Sequence, residues 1–173
     1  MRRAVLIWLV VIGAILAKSP IDFQTLEQRF VQRVTNDQNQ TLSFSGKVWL
    51  KKPNLARYDY EKPQPKIIAI RGNQVLMIEP DLEQATHFKS DLTLNILEVW
   101  KMSKEVSKTK REATINDQLI AIEHNGENIV RVYYTDDFDN FIEIVLGDPK
   151  RDATIANNFF TPAIPSGYDL ISQ

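Results

Sequence analysis

The chain has 173 residues, with 21 Lys or Arg against 22 Asp or Glu, a formal net charge of −1, and no cysteine. Charges of both signs are interspersed along it, which excludes the concentrated basic face that phosphate-backbone recognition needs, so nucleic acid is not an expected partner. The absence of cysteine removes disulfides, thiolate metal sites and thiol nucleophiles together.

Arg2 and Arg3 precede an apolar run over 4–17, interrupted by Gly13, and Lys18-Ser19-Pro20 follows. A charged start and an apolar stretch of this length form the pattern of a secretory signal peptide, with Ala17 as the last residue before cleavage. The run is shorter than the ~20 apolar residues of a spanning helix, which argues against an uncleaved anchor. The expected organisation is therefore a signal peptide at 1–17 and one domain at 18–173, about 156 residues around a single core. Loss of Arg2 and Arg3 takes the 21 basic side chains to 19 against 22 acidic, a net charge of −3.

Phe23, Leu26 and Phe30 have helical spacing, with Pro20 near a first turn and Asp22 favourably placed by the helix dipole. Phe30, Gln32 and Val34 instead alternate as in a strand, so 19–28 is open between helix and extended chain. Asn36-Asp37-Gln38-Asn39 groups turn formers between two strand patterns. Asn39 with Thr41 also matches an Asn-x-Thr acceptor with an acid two residues upstream; an unmodified loop is the other reading, and intact mass separates them. Leu42, Phe44, Gly46, Val48 and Leu50 then alternate with Ser43, Ser45, Lys47, Trp49 and Lys51, a strand with one apolar face. Lys52 falls on that apolar face. Pro53 and Asn54 form a structural corner, because Pro53 has no N–H to give a ladder and Asn54 favours turns; Tyr58 and Tyr60 resume the alternation.

Residues 66–70 and 75–78 flank Arg71-Gly72-Asn73-Gln74 and read as a hairpin with both faces apolar, as in a sheet that helices cover or that wraps a cavity. A further strand is expected at 83–88. Leu92, Ile96, Val99 and Trp100, with Leu97 beside them, then mark an amphipathic helix over 91–104 with Asp91 as N-cap. Periodicity does not decide between a helix packed on the core and a lid over an apolar groove. The basic run 101–111 reads as a solvated helix end and loop, with docking to an anionic surface or acidic partner as the alternative. Strands follow at 113–115, 119–122, 129–134 and 141–146, the Asn125-Gly126 pair being a strong hairpin signal, so pairing is expected to be antiparallel. His87 and His124 are the only histidines, and no Gly-x-Ser-x-Gly, phosphate loop or His-x-x-x-His pair is present. Glu79, Asp81, Glu83 and His87 are too loosely spaced for a metal site, and Tyr133, Asp136, Asp137 and Asp139 depart from a calcium loop. No catalytic residue, metal or cofactor is expected. The residues themselves give about eleven antiparallel strands, mainly β with helix added, and leave half-barrel, closed barrel and sandwich open.

Gly46-Lys47-Val48-Trp49-Leu50-Lys51-Lys52-Pro53-Asn54-Leu55, then Tyr58 to Pro63 and Glu79-Pro80-Asp81-Leu82-Glu83-Gln84-Ala85-Thr86, resemble the LolA family of periplasmic outer-membrane lipoprotein carriers. Phe30-x-Gln32 and a closing Phe159-Phe160-Thr161-Pro162-x-x-Pro165-x-Gly167 extend the likeness over nearly the whole mature chain. The resemblance implies an incompletely closed half-barrel with a helical lid on its concave face, and a non-enzymatic chaperone that shields lipoprotein acyl chains between the inner and outer membranes. It implies acyl-chain contacts from Phe44, Val48, Leu50, Met77, Leu94, Leu97 and Trp100. It also implies an inner-membrane ABC lipoprotein exporter as loading partner, an outer-membrane acceptor where one exists, and a monomer in the periplasm. No cysteine stands after the leader to carry acyl chains, so a lipid-anchored receptor of this fold is not expected. The family usually has a longer helix before Phe-x-Gln, and Arg where Lys52 stands; Lys52 is the candidate for lid gating, with snorkelling to solvent as the alternative. A periplasmic lipid-binding or lipoprotein-sensing domain of similar fold is the alternative function.

Overall fold

The computed structural model describes residues 19–90 and 95–172; the expected signal peptide, Asp91 and Leu94 lie outside the described residues. Among the described residues, twelve strands form one open sheet. In chain order these are β1 (Thr25–Thr35), β2 (Thr41–Lys51), β3 (Leu55–Lys62), β4 (Lys66–Arg71), β5 (Gln74–Glu79), β6 (Gln84–Lys89), β7 (Lys104–Ser107), β8 (Lys110–Ile115), β9 (Gln118–His124), β10 (Ile129–Thr135), β11 (Phe141–Arg151) and β12 (Asp169–Ser172). They lie in the order β12-β6-β5-β4-β3-β2-β1-β11-β10-β9-β8-β7. The helix α1 (Ile96–Met102) connects β6, next to one margin, to β7 at the other, and so crosses the open side of the curved sheet.

β1 sits mid-sheet and pairs along its length with β2 and β11, from Thr35 against Thr41 and Phe141 back to Leu26 against Leu50 and Arg151. Every strand pair is antiparallel except β12 on β6, where Asp169 to Ser172 run parallel to Gln84 to His87. Residues 19–24 form turn and irregular chain and β1 begins at Thr25, so the helical spacing of Phe23, Leu26 and Phe30 reflects burial on one side of extended chain; all three are core residues. Gly46 is obligatory in β2 because a Cβ there would overlap the Asp59 carbonyl oxygen and lie 2.9 Å from the Tyr60 Cα. The corner between β2 and β3 runs through Lys52, Pro53 and Asn54, with a cis Lys52–Pro53 peptide.

The main core lies between α1 and the concave face. Phe30, Val48, Leu50, Tyr58, Ile68, Ile70, Ile120, Ile122 and Val132 pack there with Ile96, Leu97, Val99 and Trp100. A second, smaller cluster of Ala69, Leu76, Ile78 and Ala85 occupies the back of β4–β6 and is covered by Ile164 and Tyr168. The double-sided apolar character of the 66–78 hairpin thus has two causes: the lid side in front, and the chain's own C-terminal segment behind. That segment is strapped down at several points. Lys51 Nζ donates to Ile155 O at 2.5 Å, Arg57 donates to Phe159 O at 2.9 Å, and the Phe159 ring meets Trp49 at 5.1 Å. Phe160 is fully buried in the short 3-10 turn Asn157–Phe160, which gives the Phe-Phe motif its structural role.

Two boundaries differ from expectation. The helix runs over Ile96–Met102 rather than 91–104, with Asn95 in place of Asp91 as N-cap: its side chain accepts from the Leu97 amide at 3.1 Å. Ser103 closes the other end by donating its hydroxyl to Trp100 O, and the chain turns at once into β7. The basic run 101–111 therefore holds the helix end, all of β7 and the start of β8, with Lys110 paired to Glu112 at 2.6 Å.

Candidate functional site

Burying one face of α1 against the strands leaves a narrow gap of about 50 Å³ between them. Ile68, Ile96, Val99, Ile122, Val132 and Ile144 make most of its wall apolar, and Gln32, Tyr58, Tyr60 and Tyr134 add polar groups. The polar groups are organised. Tyr60 donates its hydroxyl to the Gln32 carboxamide oxygen at 2.7 Å, and Tyr58 is hydrogen-bonded to the Ile96 backbone at the start of α1. Burial raises the hydroxyl pKa of all three tyrosines, and neighbouring tyrosines raise those of Tyr58 and Tyr60 further, so each is a neutral O–H at physiological pH. At the mouth the Lys66 ammonium lies 4.6 Å from the Tyr60 ring centre and 5.6 Å from that of Phe44. A hollow of about 600 Å³ bordered by Ala69, Leu76, His87 and Phe160 is larger, but it is open, partly polar and lies mainly behind the sheet. The enclosed gap under α1 is the better candidate for an apolar ligand.

Polar bonds fasten α1 at both ends. Asn95, fully buried, donates its side-chain amide to Asn54 O at 3.0 Å, and Lys101 Nζ donates to Pro53 O at 3.2 Å while pairing with Glu98 at 2.8 Å. At the far end Arg111 donates to the Ser103 hydroxyl at 2.9 Å and to Ser103 O at 2.6 Å, and its guanidinium stacks 4.9 Å from the Trp100 ring. The corner at Pro53 and Asn54 thus offers carbonyls, and the helix supplies the donors. Lys52 contributes differently: its ammonium lies over the Phe23 ring at 5.6 Å, its backbone N–H donates to Gln24 O, and no side-chain hydrogen bond from it is found among the described residues.

Of the seven residues expected as acyl contacts, the six that are described lie around the gap. Val48, Leu50, Leu97 and Trp100 are buried in the core on the α1 side, Met77 packs against it, and Phe44 is half-buried at the mouth, 6.2 Å from Tyr60; Leu94 lies outside the described residues. None of these six described residues lines the gap itself. The wall instead includes Gln32, Tyr58, Tyr60, Tyr134 and Ile144, the first three within the Phe30-x-Gln32 and Tyr58 to Pro63 motifs. The available signal was strand parity: Gln32 pairs with Phe44 and Ile144, and Tyr58 with Val48.

A sequence profile of the family described as "Outer membrane lipoprotein carrier protein LolA" matches residues 22–119. The chain is 32% identical over 171 residues to an outer-membrane lipoprotein carrier protein of Campylobacter jejuni, covering 99% of both chains. It is 29% identical to one of Wolinella succinogenes, again covering 99% of both. Among solved structures, a LolA superfamily protein of Nitrosomonas europaea superposes with a TM-score of 0.50 at 7% identity, covering 84% of this chain and 93% of that one. An uncharacterised conserved protein of Thermus thermophilus superposes at 0.53 and 12% identity, covering 87% and 91%. The fold is shared with both, and with the profile match and the full-length relatives the chain belongs to the LolA family.

Proposed function

We propose that this protein is a periplasmic chaperone that shields the acyl chains of outer-membrane lipoproteins and carries them from the inner to the outer membrane. The observation that carries this reading is the apolar gap under α1, found in a member of the LolA family. Each CH₂ exposed to water costs ~0.8 kcal/mol, so two or three long acyl chains need cover in transit. A gap of about 50 Å³ holds no more than one or two water-sized groups, so the described state is closed. Loading then requires α1 to leave the sheet. Cargo contacts come from Phe44, Val48, Leu50, Met77, Leu94, Leu97 and Trp100 once the faces part, and Lys52, beside Phe23 at the corner, takes part in gating.

The function needs no covalent chemistry, so the protein acts as a carrier and not an enzyme. An inner-membrane ABC exporter loads it, a higher-affinity acceptor at the outer membrane unloads it, and it works as a monomer after removal of 1–17. Among the described residues no helix is long and apolar enough to cross a membrane. The test is native purification from periplasm followed by mass spectrometry of the bound material. Triacylated protein in a one-to-one complex is the expected result. Free lipid alone would replace the carrier with a lipid-binding or sensing domain of the same fold.

A further inference from the structure

Most of the gap under α1 is hydrocarbon, yet Gln32, Tyr60 and Tyr134 place a carboxamide and two hydroxyls on its wall. Their hydrogen bonds are incompletely used. Tyr60 spends its proton on the Gln32 oxygen, which leaves the Gln32 amide N–H groups as donors, and among the described residues neither these nor the Tyr134 hydroxyl has a protein acceptor. Gln32 and Tyr134 stand on β1 and β10, on either side of β11, where their partners are Ile144 and Ile142. Among the described residues no buried side-chain polar atom lacks a partner, so these donors reach solvent in the closed state; a hydrocarbon chain that displaced this water would leave them unmet, whereas a ligand acceptor would not.

Resting on the carrier reading, we propose that Gln32 and Tyr134 form a carbonyl-binding subsite that holds the ester carbonyls of a diacylglyceryl group. The acyl tails then run towards Ile96 and Val99 of α1, and the polar end leaves past Phe44 and Lys66. Ester carbonyls are neutral acceptors, which matches neutral donors in a site that disfavours charge. The subsite gives the cleft a polarity that a uniform apolar lining would lack: it fixes the depth at which hydrocarbon begins and therefore how far the cargo's protein part stands from the mouth. Such a diacylglyceryl group occurs both on lipoproteins and in glycerophospholipids.

The experiment measures binding of a diacylglyceryl lipopeptide, its dialkyl-ether analogue of equal chain length, and a diester phospholipid, to wild type, Gln32→Leu and Tyr134→Phe. Wild type should prefer ester over ether about tenfold, the size expected of two neutral hydrogen bonds. Each variant should lose several-fold of that preference while holding the ether compound as tightly as wild type, which also shows that it is folded; Tyr134→Phe removes a single oxygen and keeps the ring. Equal binding of ester and ether by wild type, or an unchanged preference in both variants, would overturn the subsite while leaving lipoprotein carriage standing. Ester-selective binding of the phospholipid with none of the lipopeptide would support the subsite and overturn lipoprotein carriage. Absence of binding to all three would overturn both.

Discussion

Gly46 shows how one atom holds the concave face in place. Its missing side chain lets the Asp59–Tyr60 backbone of the neighbouring strand β3 come close at the register shift where Gly46 pairs with Tyr60. The obstacle to a Cβ is backbone, which cannot rotate away, so Gly46→Ala should cost about 3 kcal/mol, at the upper end of overpacking penalties, as read by urea denaturation. On the other face, Glu143 accepts from Arg33 at 2.8 Å and Arg131 at 2.7 Å, and these bonds lower its pKa. The Lys150 hydrogen bond does the same for Glu27. Burial works against Asp136, but bonds from Asn140 and Phe138 outweigh it and lower its pKa as well. A depressed folded-state pKa contributes stability above the unfolded value that is lost as pH falls through the folded one. Stability should therefore decline progressively below the ordinary values of 4.5 for the glutamates and 3.8 for the aspartate. Glu143→Gln should lower stability at pH 7 and flatten that acid slope; an unchanged slope would show that the cluster on β1, β10 and β11 contributes nothing.

At the scale of elements, α1 is a seven-residue helix, too short to persist by its own propensity, so its position depends on packing and on its polar fastenings. Asn95 joins two roles, capping the helix and donating to the corner carbonyl of Asn54. Asn95→Ala should cost about 1–2 kcal/mol and speed acyl-probe uptake. Lys101→Met, which removes a half-exposed contact to Pro53 O, should change stability by less than about 1 kcal/mol. Lys52→Leu measured beside them apportions gating between the corner's own cation and the helix. Equal uptake by all three variants and wild type would show that none of these bonds restrains the lid.

β2 and β3 are legible because one buried face imposes a period of two, whereas β4, β5 and β9, with consecutive buried residues, are legible as short apolar runs between turn formers. The cap at Asn95 is not legible from periodicity, because its contact with Asn54 is tertiary. β7 was hidden in a lysine-rich run, since an edge strand with every residue exposed carries no apolar period. β12 was hidden likewise: Asp169–Ser172 is exposed and owes its extension to parallel pairing with β6. The site was only half legible, as parity located the face but could not reveal that Tyr60 and Gln32 would meet across strands.

At the scale of the molecule, the chain that links one margin of the sheet to the strand beside the other also carries the element that covers its interior. β7 is one margin, β6 lies next to the other inside β12, and the chain between β6 and β7 includes α1. Opening the lid therefore leaves the middle strands intact: β1 keeps β2 and β11, and the back of β4–β6 keeps its C-terminal strap. A rigid sheet with one displaceable cover allows a closed gap of about 50 Å³ to become an acyl-chain cleft without unfolding the core. Hydrogen exchange with and without a bound triacylated lipopeptide tests this most directly. Cargo should raise exchange of the α1 amides Leu97 to Trp100 by about tenfold or more while the amides of β1 and β2 stay protected. Full occupancy by lipopeptide with α1 exchange unchanged would contradict displacement of the helix and place the acyl chains elsewhere.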